Sequence, residues 1–384
     1  MPQKIIHICD LRDYQPGYHP PRESEQYALA SWSGLIAKRM ISRRPDLDIE
    51  VWRPEKEISE IREGEIFGLK TFLFPARKLM IGKSVTFPMI RRLKSLCEEN
   101  EVHVFVHSIY SPFSIVGPVL LPKAKIIVLH HGGLPPKMRK DNLKNKLKDS
   151  VLRYSYKKIH HITYQNAITK DYLSTFVEPL KTSFWVVGAD YSKFTPLSSR
   201  SELRKTYGLK EETVYGIYVG PYSSIKNVEL ILEAYEQLKS KYNFSLIFVG
   251  GRKTDPLHKE IQRLGLTDFG RVPWQQLNEI YNCADFYIHP IFNFKREAFG
   301  VTPVEAMAAN LPVASSLLPF LQEELPVQVK ALGKSVHQKE EVCQAMEYLI
   351  QNYKSFNSVR KNSQLFLDAD TFLTDHLINL TEDE

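Results

Sequence analysis

Short apolar runs alternate with amphipathic stretches along this chain, and the alternation happens twice. In the first half, residues 4–9, 49–52, 102–107, 125–130 and 160–164 have the length and character of strands. Between them, residues 25–42, 89–100 and 142–157 carry the 3.6-residue periodicity of helices. A stretch rich in turn formers, residues 185–196 (WVVGADYSKFTP), breaks the pattern. It then restarts, with strands expected at 214–219, 245–249, 286–289 and 312–315. The accompanying helices are expected at 228–240, 274–283, 303–309, 340–352 and 371–380. Strands separated by helices of this length predict parallel, doubly wound sheets. The organisation read from the pattern is a domain over residues 1–190, a second over 191–368, and a terminal helical segment over 369–384. In such sheets ligands bind beyond the carboxyl ends of the strands, so the loops there hold the candidate site residues.

Composition narrows the class. The 384 residues suffice for two ordinary cores, and 43% apolar with 25% charged residues is the balance of a globular protein. No run approaches the roughly 20 apolar residues of a bilayer span. The amino terminus enters a strand-like run with no signal-like region, and the four cysteines form no C-x-x-C pair, so a cytoplasmic protein with reduced thiols is expected. Charge is unevenly spread: residues 1–195 hold 31 Lys and Arg against 20 Asp and Glu, whereas residues 196–384 hold 20 against 24. The basic excess concentrates in residues 134–158, with nine Lys or Arg and two acids. A solvated helix face explains such a stretch, and so does a surface for an anionic partner such as phospholipid headgroups or a lipid-linked phosphate. Nucleic acid ranks last, because no nucleic-acid-binding module surrounds it.

Chemistry concentrates in three places. Residues 296–313 read REAFGVTPVEAMAANLPV. Thr302 suits a helix N-cap, Pro303 the first helical position, and Asn310 a left-handed end. A helix start entered through a small turn offers unpaired N–H groups and a positive dipole end to phosphate. Glu297 in the loop can accept hydrogen bonds from a sugar, and Glu305 from a ribose; Thr302 and Glu305 equally form a capping box that needs no ligand. Residues 220–227 (GPYSSIKN) follow a strand and precede a helix, and Lys226 there suits a diphosphate. The strand at 125–130 delivers His130, His131, Gly132 and Gly133, the two rings pointing to opposite faces, and His107 ends the preceding strand. The His-Gly-Gly string is not a lipase oxyanion loop, since the chain holds no G-x-S-x-G. His160 and His161 lack zinc-ligand spacing, Asp368-Ala369-Asp370 reads as a loop or cap, and residues 81–84 (IGKS) lack the upstream glycine of a P-loop.

Residues 296–313 resemble the E-x7-E signature of the retaining glycosyltransferases of family 4, ordinarily E-G-F-G-x-x-x-x-E-A-M-A-x-G-x-P-V. Ala298 and Asn310 stand where that pattern has glycines. Residues 220–227 resemble the family's V-G-R-L-x-x-x-K-G loop, with Pro221 in place of the arginine. Arg252, or Lys295 or Arg296, would supply the missing charge. Gly17, in the stretch QPGY at 15–18, stands in for the Gly-Gly pair of the first βα loop, and residues 185–196 resemble the interdomain junction. The likeness is specific over residues 214–315 and weak over the first 190. It implies a GT-B fold: two Rossmann-like doubly wound parallel-sheet domains facing across a cleft, with the last helix crossing back to the first domain.

The implied activity is a retaining, metal-independent hexosyltransferase with a nucleotide sugar as donor and no cofactor. Gly220, Lys226, Arg252, Val272, Phe299, Gly300, Val301, Glu305 and Gly17 would hold the nucleotide and diphosphate, and Glu297 the transferring sugar. His130 would complete the sugar site, with His131 as its rival, and His107 and His131 would lie on the acceptor side. A saccharide, lipid-linked or otherwise anionic, is the implied acceptor, placing the protein in the cytoplasm or at the inner face of a membrane. The alternative is a non-catalytic GT-B-like subunit, nucleotide-binding or accessory, that binds nucleotide or a partner without transferring sugar, motivated by Pro221 and the altered first loop.

Overall fold

The structure, a computed structural model, describes residues 2–9, 32–55, 58–66, 68–76, 85–109, 111–131, 142–292 and 299–382. The chain divides into two compact units, one of residues 1–186 with 374–384 and one of residues 187–373.

The first unit is built on an eight-stranded sheet: β1 (Gln3–Ile8), β2 (Asp48–Glu55), β3 (Arg62–Ile66), β4 (Leu69–Pro75), β5 (Glu101–Val106), β6 (Lys125–Leu129), β7 (His161–Tyr164) and β8 (Thr182–Phe184). Their spatial order is β3-β4-β2-β1-β5-β6-β7-β8. All neighbours are parallel except the β3–β4 pair at the edge. The expected strands of this half are present, whereas β3, β4 and β8 went unanticipated. β3 reads REGEI, too polar to signal a buried strand, and as an edge strand it needs only one partner. Helices flank the sheet for local reasons. Helix Phe87–Glu99 starts at Thr86, whose side chain accepts from the Met89 N–H, has a proline in its first turn, and buries Met89, Ile90, Leu93 and Cys97.

The second unit holds β9 (Val214–Val219), β10 (Phe244–Val249), β11 (Thr267–Asp268), β12 (Phe286–His289), β13 (Val313–Ser315) and β14 (Gly333–Ser335). The order β11-β10-β9-β12-β13-β14 is parallel throughout. Both sheets thus begin in the middle, grow outward one way, and then return to the middle to grow the other way. The chain reverses between β1 and β5 and again between β9 and β12. At each reversal the two flanking connections leave in opposite directions, opening a crevice above the strand ends.

The units meet in sequence earlier than the expected boundary at 190. Gly188, Ala189 and Asp190 belong to the second unit because Ala189 is stitched to its last helix, Val359–Leu367. The Ala189 N–H donates to Leu367 O at 3.2 Å, and the Ala369 N–H donates to Ala189 O at 2.9 Å. The second crossing falls at Thr374, inside helix Phe372–Asn379. Gly188 has φ +67°, and a Cβ there would stand 2.3 Å from Leu373 Cδ1 and 2.6 Å from Leu367 O. Gly188→Ala is therefore expected to cost roughly 2 kcal/mol or more, from left-handed strain plus a clash with backbone that cannot yield. Urea denaturation of the variant measures the loss.

Candidate functional site

In the second unit the crevice at the β9/β12 reversal is lined by loops fixed from several sides. After β9, Gly220 has φ +153°, and a Cβ on it would meet the Tyr218 hydroxyl at 2.7 Å. That hydroxyl donates to Pro221 O at 2.9 Å, and the fully buried Tyr222 donates its own to Asp268 Oδ1 at 2.6 Å. Tyr222 lies under the turn after β10, where a Cβ on Gly251 would sit 2.0 Å from its ring. The chain then forms a single 3-10 turn, Ser224–Lys226, and Asn227 adopts φ +51°, ψ +38° before helix Val228–Leu238. Asparagine tolerates this left-handed geometry better than other non-glycine residues. Its side-chain amide donates to Pro290 O at 2.7 Å, tying the β9 loop to the β12 loop across the reversal.

Lys226 is half-buried beside His289, the last residue of β12. Burial, with the Lys226 charge adding to it, holds the His289 imidazole neutral, its pKa down to about 3. The ring stacks on Tyr287 with centroids 6.1 Å apart, and its Nδ1 has no partner among the described residues. Gly300 lies against the other edge of the ring, where a Cβ would approach His289 Nε2 to 3.0 Å.

Helix Val301–Ala308 starts two residues earlier than the spacing predicts. Gly300 is its N-cap, with no side-chain cap. Thr302 is the second helical residue rather than the cap, and its hydroxyl pairs with that of Tyr287 at 2.7 Å. Pro303, which has no N–H, comes third rather than first, leaving the amides of Val301 and Thr302 at an uncapped helix start. The capping box is therefore absent. The Glu305 carboxylate instead accepts from the Tyr281 hydroxyl at 3.1 Å, and that hydroxyl also lies 3.2 Å from Thr302 O. Burial raises the Glu305 pKa to about 7 against the opposing pull of this hydrogen bond. Asn310 ends the helix with φ +67° and accepts from the Arg360 N–H at 3.0 Å, filling a place where the family 4 pattern has glycine.

Two further candidates sit on neighbouring loops. Arg252 is exposed, its N–H donating to Asp255 Oδ2 at 2.8 Å. Val272 is half-buried between β11 and helix Trp274–Cys283, and the Gly250 N–H donates to Gly270 O at 2.6 Å just before it. Trp274 stands 47% exposed, with the Lys193 ammonium 5.7 Å from its ring centre, so it is not a core anchor.

In the first unit the reversal between β1 and β5 is bridged by histidines. His7 Nδ1 lies 3.2 Å from His107 Nε2, and His107 Nδ1 lies 3.1 Å from His131 Nε2. His7 stacks flat on Phe105, His107 stacks on His131, and His131 meets Trp185 edge-on. Burial pushes His7 to about 3 and His131 to about 4, and the neighbouring imidazoles add to burial in lowering His107. All three rings are thus neutral near pH 7, and each N···N contact holds one proton. His130 is fully buried, its N–H donating to Thr163 Oγ1 at 3.3 Å, whereas His131 is only half-buried. Glu297, Lys295, Arg296 and Gly17 lie outside the described residues.

Residues 199–366 match the family model for glycosyl transferases, group 1. That stretch contains the whole Lys226–His289–Glu305 site. A D-inositol 3-phosphate glycosyltransferase of Streptomyces avermitilis is 27% identical over 144 residues, covering 34% of this chain and 30% of that protein. The O-antigen chain mannosyltransferase B of Escherichia coli is 28% identical over 196 residues, covering 46% and 50%. The chain spans about a third to a half of the length of the curated relatives it matches. Among solved structures, the sucrose-phosphate synthase of Thermosynechococcus elongatus superposes with a TM-score of 0.67 at 15% identity, covering 98% of both chains. HepE of Anabaena in complex with UDP gives 0.67 at 16%, covering 99% of this chain and 100% of that one. The fold is GT-B.

Within the group 1 match, the residues that sequence spacing did not single out are Tyr281, Tyr287 and His289. Each lies on an expected element, Tyr281 in helix Trp274–Cys283 and Tyr287 and His289 in β12. In the first unit His7 was likewise read only as part of a strand. Strand register could have found it, since it pairs with Phe105, two residues before His107.

The Glu305 shift carries a stability consequence. A carboxyl whose folded pKa is raised from 4.5 to about 7 binds more protons folded than unfolded between those values. Its contribution is intact below pH 4.5 and is lost as the pH rises through 7. Glu305→Gln removes the ionisation, so the variant should match the parent at pH 4 and exceed its stability by about 3 kcal/mol at pH 8. Melting curves at the two pH values read the difference directly.

Proposed function

We propose that this protein is a retaining glycosyltransferase that takes a sugar from a nucleoside diphosphate donor held by its second unit. The observation that carries the reading is the convergence at the β9/β12 reversal of three features. These are a lysine, an uncapped helix start with amides of Val301 and Thr302, and a carboxyl, Glu305, held by a tyrosine hydroxyl. Cation and helix start suit a diphosphate, and the carboxyl suits a ribose diol. The solved structures of HepE with UDP and of the E. coli trehalose-6-phosphate enzyme with UDP-2-fluoro glucose support a nucleotide sugar as the donor class.

In the proposed reaction, the acceptor hydroxyl forms its bond to the anomeric carbon on the face from which the diphosphate departs. The bond from that carbon to the diphosphate oxygen breaks, and the departing oxygen takes the hydroxyl proton. Lys226 and the helix amides stabilise the charge that grows on the leaving group, so the chemistry needs no metal ion. Glu297 would orient the transferring sugar. Of the paired histidines, His131 is favoured over His130 for contact with substrate, because His130 has no exposed surface. A saccharide acceptor on the first unit, lipid-linked in keeping with its basic charge, completes the reading.

Calorimetric titration with UDP, GDP and ADP tests the donor site. One of the three should bind, and Lys226→Ala should weaken it by about tenfold or more, the worth of a charge-assisted phosphate contact. Binding by none of them would move the reading to an accessory GT-B subunit. Glu297→Ala should leave nucleotide affinity within about twofold while transfer falls by at least a hundredfold, since its partner is the sugar.

A further inference from the structure

Helix Leu143–Tyr156 presents two unlike faces. The inward one is settled: Leu152 and Tyr156 are buried, the Tyr156 hydroxyl donates to Ile109 O at 2.7 Å, and Asp149 accepts from Tyr172 and Arg153. The outward one carries Leu143, Leu147, Val151 and Tyr154, exposed by 83, 65, 43 and 58%. Their spacing of four, four and three residues aligns them in one stripe along the helix.

A helix that merely faces water puts its lysines at the middle of the outward face. Here the middle is apolar, and exposed Lys146, Lys148 and Lys157 stand around it. Lys158 leans over the Tyr154 ring, its ammonium 4.8 Å from the centroid and 3.2 Å from the hydroxyl. Asp149, the acid of this helix, points inward, so the outward face carries no negative charge. The sequence just before the helix adds Lys137, Arg139 and Lys140 against the single acid Asp141.

We propose that this helix is the surface by which the protein lies on an anionic bilayer. The leucines, valine and tyrosine enter the boundary between headgroups and acyl chains, and the lysines meet lipid phosphates. A second copy of the chain would bring two lysine-flanked stripes together, with like charges opposed. A nucleic acid would pair the lysines but leave the leucines without apolar contact. The proposal extends the transferase reading by placing the protein where a lipid-linked acceptor resides, and rests on that reading for its purpose alone.

The test is co-sedimentation of the full chain with vesicles of phosphatidylcholine, with and without about one third phosphatidylglycerol. Binding should require the anionic lipid and weaken at least about tenfold as salt rises from roughly 0.05 to 0.5 M. The double variant Leu147→Glu, Val151→Glu should lose at least about tenfold in vesicle affinity, since it places charge in the apolar stripe. Its melting curve and its nucleotide titration should be unchanged, because both side chains are exposed and lie in the other unit from Lys226. Vesicle binding indifferent to phosphatidylglycerol, or unaltered in the double variant, would overturn the proposal. So would lipid-free self-association that the variant abolishes. Failure of the donor reading would appear separately, as loss of nucleotide binding by the parent protein.

Discussion

The reversal of strand order in each sheet is the constraint from which both candidate sites follow. Among the described strands the order reverses at β1/β5 and at β9/β12, and it is at such reversals that the carboxyl edge opens into a crevice. Such an opening needs a contact that closes its floor, and each unit supplies one. In the second unit the Asn227 amide reaches Pro290 O; in the first, His7 and His107 face each other ring to ring. A side-chain hydrogen bond between loops sets Lys226 beside His289, whereas two neutral imidazoles extend the floor to His131.

The helix that starts at Val301 shows how a local motif yields to its surroundings. On propensity alone Thr302 caps the helix and Glu305 answers it. Two buried tyrosines change the outcome: Tyr287 engages the threonine hydroxyl and Tyr281 engages the carboxylate. Both bonds satisfy polar groups that burial would otherwise penalise, and the helix start is left to backbone amides without a side-chain competitor. The same exchange explains the raised Glu305 pKa, since one tyrosine hydroxyl offsets only part of the desolvation of a carboxylate.

Most of the second sheet was legible from the sequence because its strands are short apolar runs between clear turn residues. Val214–Val219, Phe286–His289 and Trp274–Cys283 fall at the expected positions. The apolar strand Leu69–Pro75 escaped, and so did structure without a hydrophobic period: the polar edge strand Arg62–Ile66, and helix Arg200–Thr206, held by Arg200 and Arg204 on Asp285 rather than by an apolar face. In the candidate site, the residues that the sequence singles out are those whose type announces a chemistry, as Lys226 and Glu305 do. The site was not legible where chemistry arises from register. His7, His107 and His131 lie about 100 and 24 residues apart and come together because β1, β5 and β6 are neighbours. No sequence window contains that contact.

Pro221 stands where the family 4 pattern has an arginine, and the loop around it shows what holds its shape. The arginine would contribute both charge and a fixed loop. The second contribution is replaced within the chain: the Tyr218 hydroxyl holds Pro221 O, Tyr222 fills the core beneath Gly251, and the Tyr222 N–H reaches Asp255 Oδ2 at 3.4 Å. Proline itself narrows the backbone freedom of the loop. The loop geometry that sets Lys226 is therefore maintained by packing, and the change is one of charge. On the proposed reading, a diphosphate at this loop would lean more heavily on Lys226 and on the backbone amides of the helix start. That is consistent with a helix whose first residues have no side-chain cap to compete with a phosphate.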